Sequence, residues 1–155
     1  MNQYNNGDYT EDISDILLNT CWNKPFTKIN RRKNKDGSNA VQIIKVNGET
    51  FILPDIEVYR DLELNEIILR IEVKSFASLP KVDSPNKSLP LFPIKIRQLS
   101  GYVGLQSAEE IGIKFIIVVG KKNENFYWCE LDELLNDFGS IRHDWKKEDS
   151  LWFNI

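Results

Sequence analysis

At 155 residues the chain has room for one domain and for a sizeable core. Hydrophobic residues make up 41% and charged residues 28%, an ordinary globular composition that excludes a disordered or fibrous chain. The net charge of -3 argues against a basic nucleic-acid coat, but not against an enzyme that meets a polyanion through one local patch.

In chain order, residues 8–22 read as a helix, with Ile13, Ile16, Leu17 and Cys21 at helical spacing. Asp8 and Glu11 fit a capping box, and Pro25 stops the helix. Residues 28–39 are basic and turn-rich. Residues 40–46 form a strand, Asn47-Gly48 a two-residue hairpin turn, and residues 49–59 the returning strand. Pro54 inside that strand marks an edge or a bulge. Residues 60–65 turn and residues 66–76 form a third strand, which predicts a three-strand antiparallel meander. Residues 77–93, with Pro80, Pro85, Pro90 and Pro93, read as a long loop. A second helix is predicted over 94–111 and a fully buried strand over 113–119. The run "FYWCEL" returns as a strand, "DELLNDF" gives a short helix, and residues 140–155 show no clear period. The fold class predicted is α/β, a mixed central sheet flanked by helices in one domain over 1–155.

Side chains alternate along a strand, so Ile67, Leu69, Ile71 and Val73 face one way and Ile68, Arg70, Glu72 and Lys74 the other. Asp55, Glu57 and Tyr59 share a face of the preceding strand. Pairing through the 60–65 turn makes paired residue numbers sum to roughly 125 and brings Asp55 and Glu72 together as diagonal neighbours. Two carboxylates and a lysine there are either a solvated sheet face or a converging site. As a site, Asp55, Glu72 and the backbone carbonyl of Val73 suit octahedral Mg²⁺, and Lys74 would act on the attacking water and on developing charge.

The residues "LPDIEVY…ILRIEVKSF" resemble the PD-(D/E)xK nuclease superfamily, with Pro54-Asp55 and Glu72-Val73-Lys74 in its motif positions. The resemblance implies a restriction-endonuclease-like αβββαβ core over roughly residues 8–131. Gln98 and Tyr102 make a QxxxY that is similar to the RecB-type branch, which implies that both lie beside the metal site as catalytic residues with Asp55, Glu72 and Lys74. It also implies a first-helix glutamate in the metal shell, which by position is Glu11; helix capping accounts for Glu11 equally. The function implied is Mg²⁺-dependent hydrolysis of DNA phosphodiester bonds, with Mn²⁺ substituting. The alternative is a non-catalytic binding module for nucleic acid or protein on the same fold.

Other features stay open. "RRKNK" at 31–35 is a solvated loop or a phosphate-contacting hairpin. Lys81, Lys87 and Lys95 could follow a nucleic-acid backbone, and Arg70 pairs with a carboxylate or a phosphate. Cys21 and Cys129 form no CxxC, and His143 is the single histidine, so neither a thiolate nor a histidine metal cluster is expected. The N-terminal stretch reads as neither a signal nor a transit peptide, and no apolar run approaches the ~18 residues of a membrane span. A cytoplasmic protein is expected, acting as a homo-oligomer or as part of a larger nuclease complex.

Overall fold

The computed structural model describes residues 6–76, 91–120, 125–136, 138–145 and 148–154. Helix α1 (Asn6–Thr20) leads into a three-residue strand, β1 (Thr27–Ile29). A hairpin follows, β2 (Ile43–Val46) and β3 (Glu49–Ile52). Its turn residues Asn47 and Gly48 have φ of 51° and 82°, the positive values a tight two-residue turn requires. Then come β4 (Ile56–Tyr59), β5 (Ile67–Phe76), β6 (Leu91–Lys95) and helix α2 (Ile96–Glu109). The chain ends with β7 (Ile113–Val119), β8 (Asn125–Glu130), α3 (Leu131–Asn136), β9 (Phe138–Trp145) and β10 (Glu148–Asn154).

The central sheet has five strands in the order β1-β4-β5-β7-β8, with β5 and β7 parallel and the other pairs antiparallel. This is the mixed, helix-flanked sheet that the sequence predicted. The predicted meander needs one correction. The run 40–46 is not in the central sheet: among the described residues β2 pairs with β3 alone, as a separate two-stranded ribbon. The chain breaks between β3 and β4 because Pro54 cannot donate to a ladder. The meander is instead β1-β4-β5, with the β2-β3 hairpin inserted between its first two strands. The order helix, three antiparallel strands, helix, parallel strand is therefore kept, with different residues as its first strand.

β7 separates two cores. Phe115, Ile117 and Val119 pack with Leu99, Tyr102 and Leu105 of α2, while Ile116 and Val118 pack with Ile56, Val58, Leu69 and Ile71 under Leu18 of α1. The two helices thus cover opposite faces. The hairpin joins the α2 side through Ile44, Val46 and Phe51. Phe51 approaches so closely that a Cβ on Gly104 would lie 2.9 Å from its ring, which explains a glycine in mid-helix.

Three further expectations change. The buried face of α1 is Thr10, Ser14 and Leu18, whereas Ile16 is exposed. The helix begins at Asn6, so Asp8 lies within it and does not cap it. The tail, aperiodic in sequence, supplies β9 and β10, which pair with each other and with β6 in a three-stranded sheet. Residues 77–90 of the proline-rich loop, with Lys81 and Lys87, lie outside the described residues. No helix among the described residues is long and apolar enough to cross a membrane.

Candidate active site

The site forms where β4 begins and β5 runs past it. The register Ile56↔Ile71, Glu57↔Arg70, Val58↔Leu69 sums to 127. The ladder ends at Ile56↔Ile71, and the same sum would bring residue 55 next to Glu72 and residue 54 next to Val73. The sequence reading had placed the acids diagonally. The shift is two residues, so each side chain keeps its predicted face and the carboxylates come closer.

Backbone polarity along β5 explains why a proline precedes the aspartate. The Arg70 N–H donates to the Gly112 carbonyl and the Phe76 carbonyl accepts from Gly120 N–H, both on the β7 side. Even-numbered residues of β5 therefore turn their backbone groups to β7, and odd-numbered ones to β4. Val73 would next form a ladder pair with residue 54, but Pro54 has no N–H to give. The Val73 N–H is taken by Asp55 Oδ2 at 2.8 Å.

Around this point the predicted side chains meet. Lys74 Nζ donates to Glu72 Oε1 at 2.6 Å and to Gln98 Oε1 at 2.9 Å. Gln98 Nε2 donates to Glu72 Oε1 at 2.9 Å and to Tyr102 Oη at 3.1 Å. Tyr102 also hydrogen-bonds Glu72. The Gln98 amide thus turns its oxygen to the lysine and its NH₂ to the carboxylate, the orientation that charge demands. Burial, then the charge of Glu72, raises the Tyr102 phenol far above its ordinary value, so it stays a protonated donor. Burial also pushes the Asp55 carboxyl well above the carboxylate range, with the charge of Glu72 next in weight and that of Glu11 adding to the rise; the Val73 N–H and Lys74 oppose it.

Glu11 enters this field but is held elsewhere. Its Oε2 accepts from Arg31 Nε at 3.2 Å and Nη2 at 2.9 Å, and Arg31 Nη2 also reaches Asp12 Oδ1 at 3.1 Å. Asn30 fixes the arginine's base: its N–H donates to the Asp55 carbonyl at 2.7 Å and its Nδ2 to the Pro54 carbonyl at 3.0 Å. Among the described residues, no three His, Cys, Asp or Glu side chains converge closely enough to hold a metal ion. The donors near one another are the Asp55 and Glu72 carboxylates, with the Val73 carbonyl the expected backbone ligand beside them. These are all oxygen, and the chemistry fits a hard divalent cation.

Arg70 and Glu57 form a different structure. Arg70, 1% exposed, donates from Nη1 to Glu57 at 3.0 Å and from Nε and Nη2 to Glu109 at 2.7 and 2.9 Å. The arginine therefore pairs with carboxylates, and Glu57 is buried with a full partner. Sequence reasoning did not single out Glu109, Asn30 or Arg31 individually. Arg70 on the Glu72 face, read as pairing with a carboxylate or a phosphate, was the signal for the first. The other two gave none, since their roles depend on β1 ending beside Asp55.

No family model matches the chain, and no curated protein matches it. Among solved structures the chain is similar to Hjc, a Holliday junction resolvase of the archaeal hyperthermophile Archaeoglobus fulgidus, at 13% identity and a TM-score of 0.46, over 94% of this chain and 84% of that one.

Proposed function

We propose that the protein is a metal-dependent nuclease that hydrolyses phosphodiester bonds in DNA. One observation carries the reading: Asp55 takes the Val73 N–H and feels the charge of Glu72, while Lys74, Gln98 and Tyr102 gather on the Glu72 carboxylate. A structural ion pair would not need a second, desolvated carboxylate whose charge its neighbour opposes.

Asp55, Glu72 and the Val73 carbonyl would hold Mg²⁺ or Mn²⁺, which would acidify a bound water and neutralise charge on the phosphoryl oxygens. An ammonium has three N–H groups. Two of those on Lys74 go to Glu72 and Gln98, which leaves one to orient the attacking water or to meet charge developing on the phosphorane. Gln98 spends its whole amide on this cluster and fixes the rotamers of Lys74 and Glu72. Tyr102 closes the buried side and excludes water from beneath Glu72.

The test is incubation of linear, circular and single-stranded DNA with the protein in Mg²⁺, Mn²⁺ or EDTA, beside Lys74→Ala. Cleavage that needs metal and falls by at least about 10²-fold in the variant is expected. Intact DNA in every lane, with no metal-dependent rise in melting temperature, would replace the nuclease with a binding module on the same fold.

A further inference from the structure

We propose that Arg31 is a positioning residue that withholds Glu11 from the Asp55–Glu72 pair in the free protein and releases it to a phosphodiester backbone. The inference rests on the nuclease reading and deepens it: cation affinity becomes linked to the presence of a polyanionic strand.

Four observations support it. First, α1 packs on β5 beside Lys74, with Thr10 Oγ1 3.4 Å from Ser75 Oγ, yet the carboxylate of the next residue, Glu11, is occupied by Arg31 at 2.9 Å. Second, the Arg31 side chain is 26% exposed and the Glu11 side chain 13%, so the guanidinium can be approached from solvent while the carboxylate lies deeper. Third, Asn30 binds the Pro54 and Asp55 carbonyls and sets Arg31 at the rim of the site. Fourth, the next residues are basic and exposed: Arg32, Lys33 and Lys35 extend the positive charge outward along the same loop.

A guanidinium fork fits phosphate as well as it fits carboxylate. An arriving phosphate can therefore replace Glu11 on Arg31. Glu11 then gives up its ion pair with Arg31, and a divalent cation at Asp55 and Glu72 can take the place of that guanidinium. Each ligand would favour the other, and such coupling is reciprocal. Before substrate arrives, the Arg31–Glu11 pair lowers cation affinity.

The experiment is a four-variant cycle. Mn²⁺ alone is titrated calorimetrically into the DNA-free wild type, Arg31→Met, Glu11→Gln and the double variant, with thermal melts to confirm folding. Arg31→Met is expected to tighten Mn²⁺ binding roughly fivefold, the worth of a partly exposed ion pair, and to do so only while Glu11 is present. Equal tightening in the Glu11→Gln background would make Arg31 a remote charge and overturn the proposal, leaving the nuclease reading intact. No tightening by Arg31→Met would also overturn it. Arg31→Lys and a second measurement cover the case in which Arg31→Met fails to fold. A short duplex is expected to tighten Ca²⁺ binding in the wild type and to do so less in Arg31→Lys, which lacks the fork; equal coupling in both refutes the release step. Absence of Mn²⁺ binding by the wild type itself, with Asp55→Asn indistinguishable from it, would remove the nuclease reading and this inference together.

Discussion

Two clusters of carboxylate and cation lie side by side on strands β4 and β5, and they are built to opposite ends. In one, Arg70 sits between Glu57 and Glu109, with three N–H groups on two carboxylates. Burial raises Glu57, but the bonds from Tyr59 and Arg70 outweigh it and hold its carboxyl below the ordinary range. In the other, two residues along each strand, Lys74 bonds Glu72, while Asp55 has a backbone N–H, and the Asp55 carboxyl is raised. The same sheet face thus carries one saturated cluster and one short of positive charge. A saturated cluster fixes structure. An unsaturated one leaves the charge that the proposed divalent cation would balance.

The largest effect should come from breaking the saturated cluster. Arg70→Met would leave Glu57 and Glu109 buried and opposed, at a cost of about 3–5 kcal/mol. For an ordinary domain of about 5–15 kcal/mol that is a fifth or more of the whole stability, and α2 would lose the anchor at its C-terminal end. Denaturant unfolding measures it, and a loss below about 1 kcal/mol would show the cluster to be dispensable.

The opposite sign is expected one step along the sheet. Asp55→Asn removes a charge that burial and Glu72 oppose, and the Asn oxygen can still accept from the Val73 N–H. The metal-free melting temperature should rise by about 2–4 °C, the equivalent of roughly 1 kcal/mol. The pH dependence follows from the direction of the shift. A carboxyl raised by folding contributes stability that is full below the ordinary carboxylate range and is lost as pH climbs through the raised value. The wild type should therefore lose stability over that window while Asp55→Asn does not, and Mg²⁺ should return the loss to the wild type alone. A variant that melts lower than the wild type at neutral pH would mean that Asp55 is already compensated.

How much of this was legible beforehand can be judged residue by residue. The alternation in 66–76 put Leu69 and Ile71 opposite Arg70 and Glu72, and the structure keeps both faces. Gln98 and Tyr102 lie one helical turn apart, and both reach Glu72. What failed was pairing that local pattern does not encode. β1 is three residues in a basic stretch, too short to show a period, yet it takes the place expected for 40–46 beside β4. The α1 face was misread because apolar spacing pointed to Ile16, while polar Thr10 and Ser14 are buried. The Ser14 hydroxyl donates to the Thr10 carbonyl, which satisfies it without a core partner. The aperiodic tail became β10, where register shifts interrupt the alternation that a sequence scan seeks. Pro54 was an informative single residue: it was read as an edge or a bulge, and the strand breaks there, between Ile52 and Ile56.

The smallest expected effect concerns the edge of the saturated cluster, and its value is that it should leave the other cluster untouched. The Tyr59 hydroxyl donates to Glu57, and burial, followed by that bond, pushes the phenol up to about 12. Tyr59→Phe keeps the ring and removes the donor, but Arg70 still holds Glu57. Stability should fall by only about 1 kcal/mol, since the bond is partly screened. The sign of the shift fixes the pH at which even this difference disappears. A raised phenol contributes stability that is complete below the unfolded value near 10 and is lost as pH rises to about 12. The gap between wild type and Tyr59→Phe should thus hold through neutral pH and close across that alkaline window. A gap that persists there would assign the difference to packing of the ring and not to the bond. An accompanying loss of cleavage would mean that the two clusters are coupled, and that the saturated one positions the site as well as the fold.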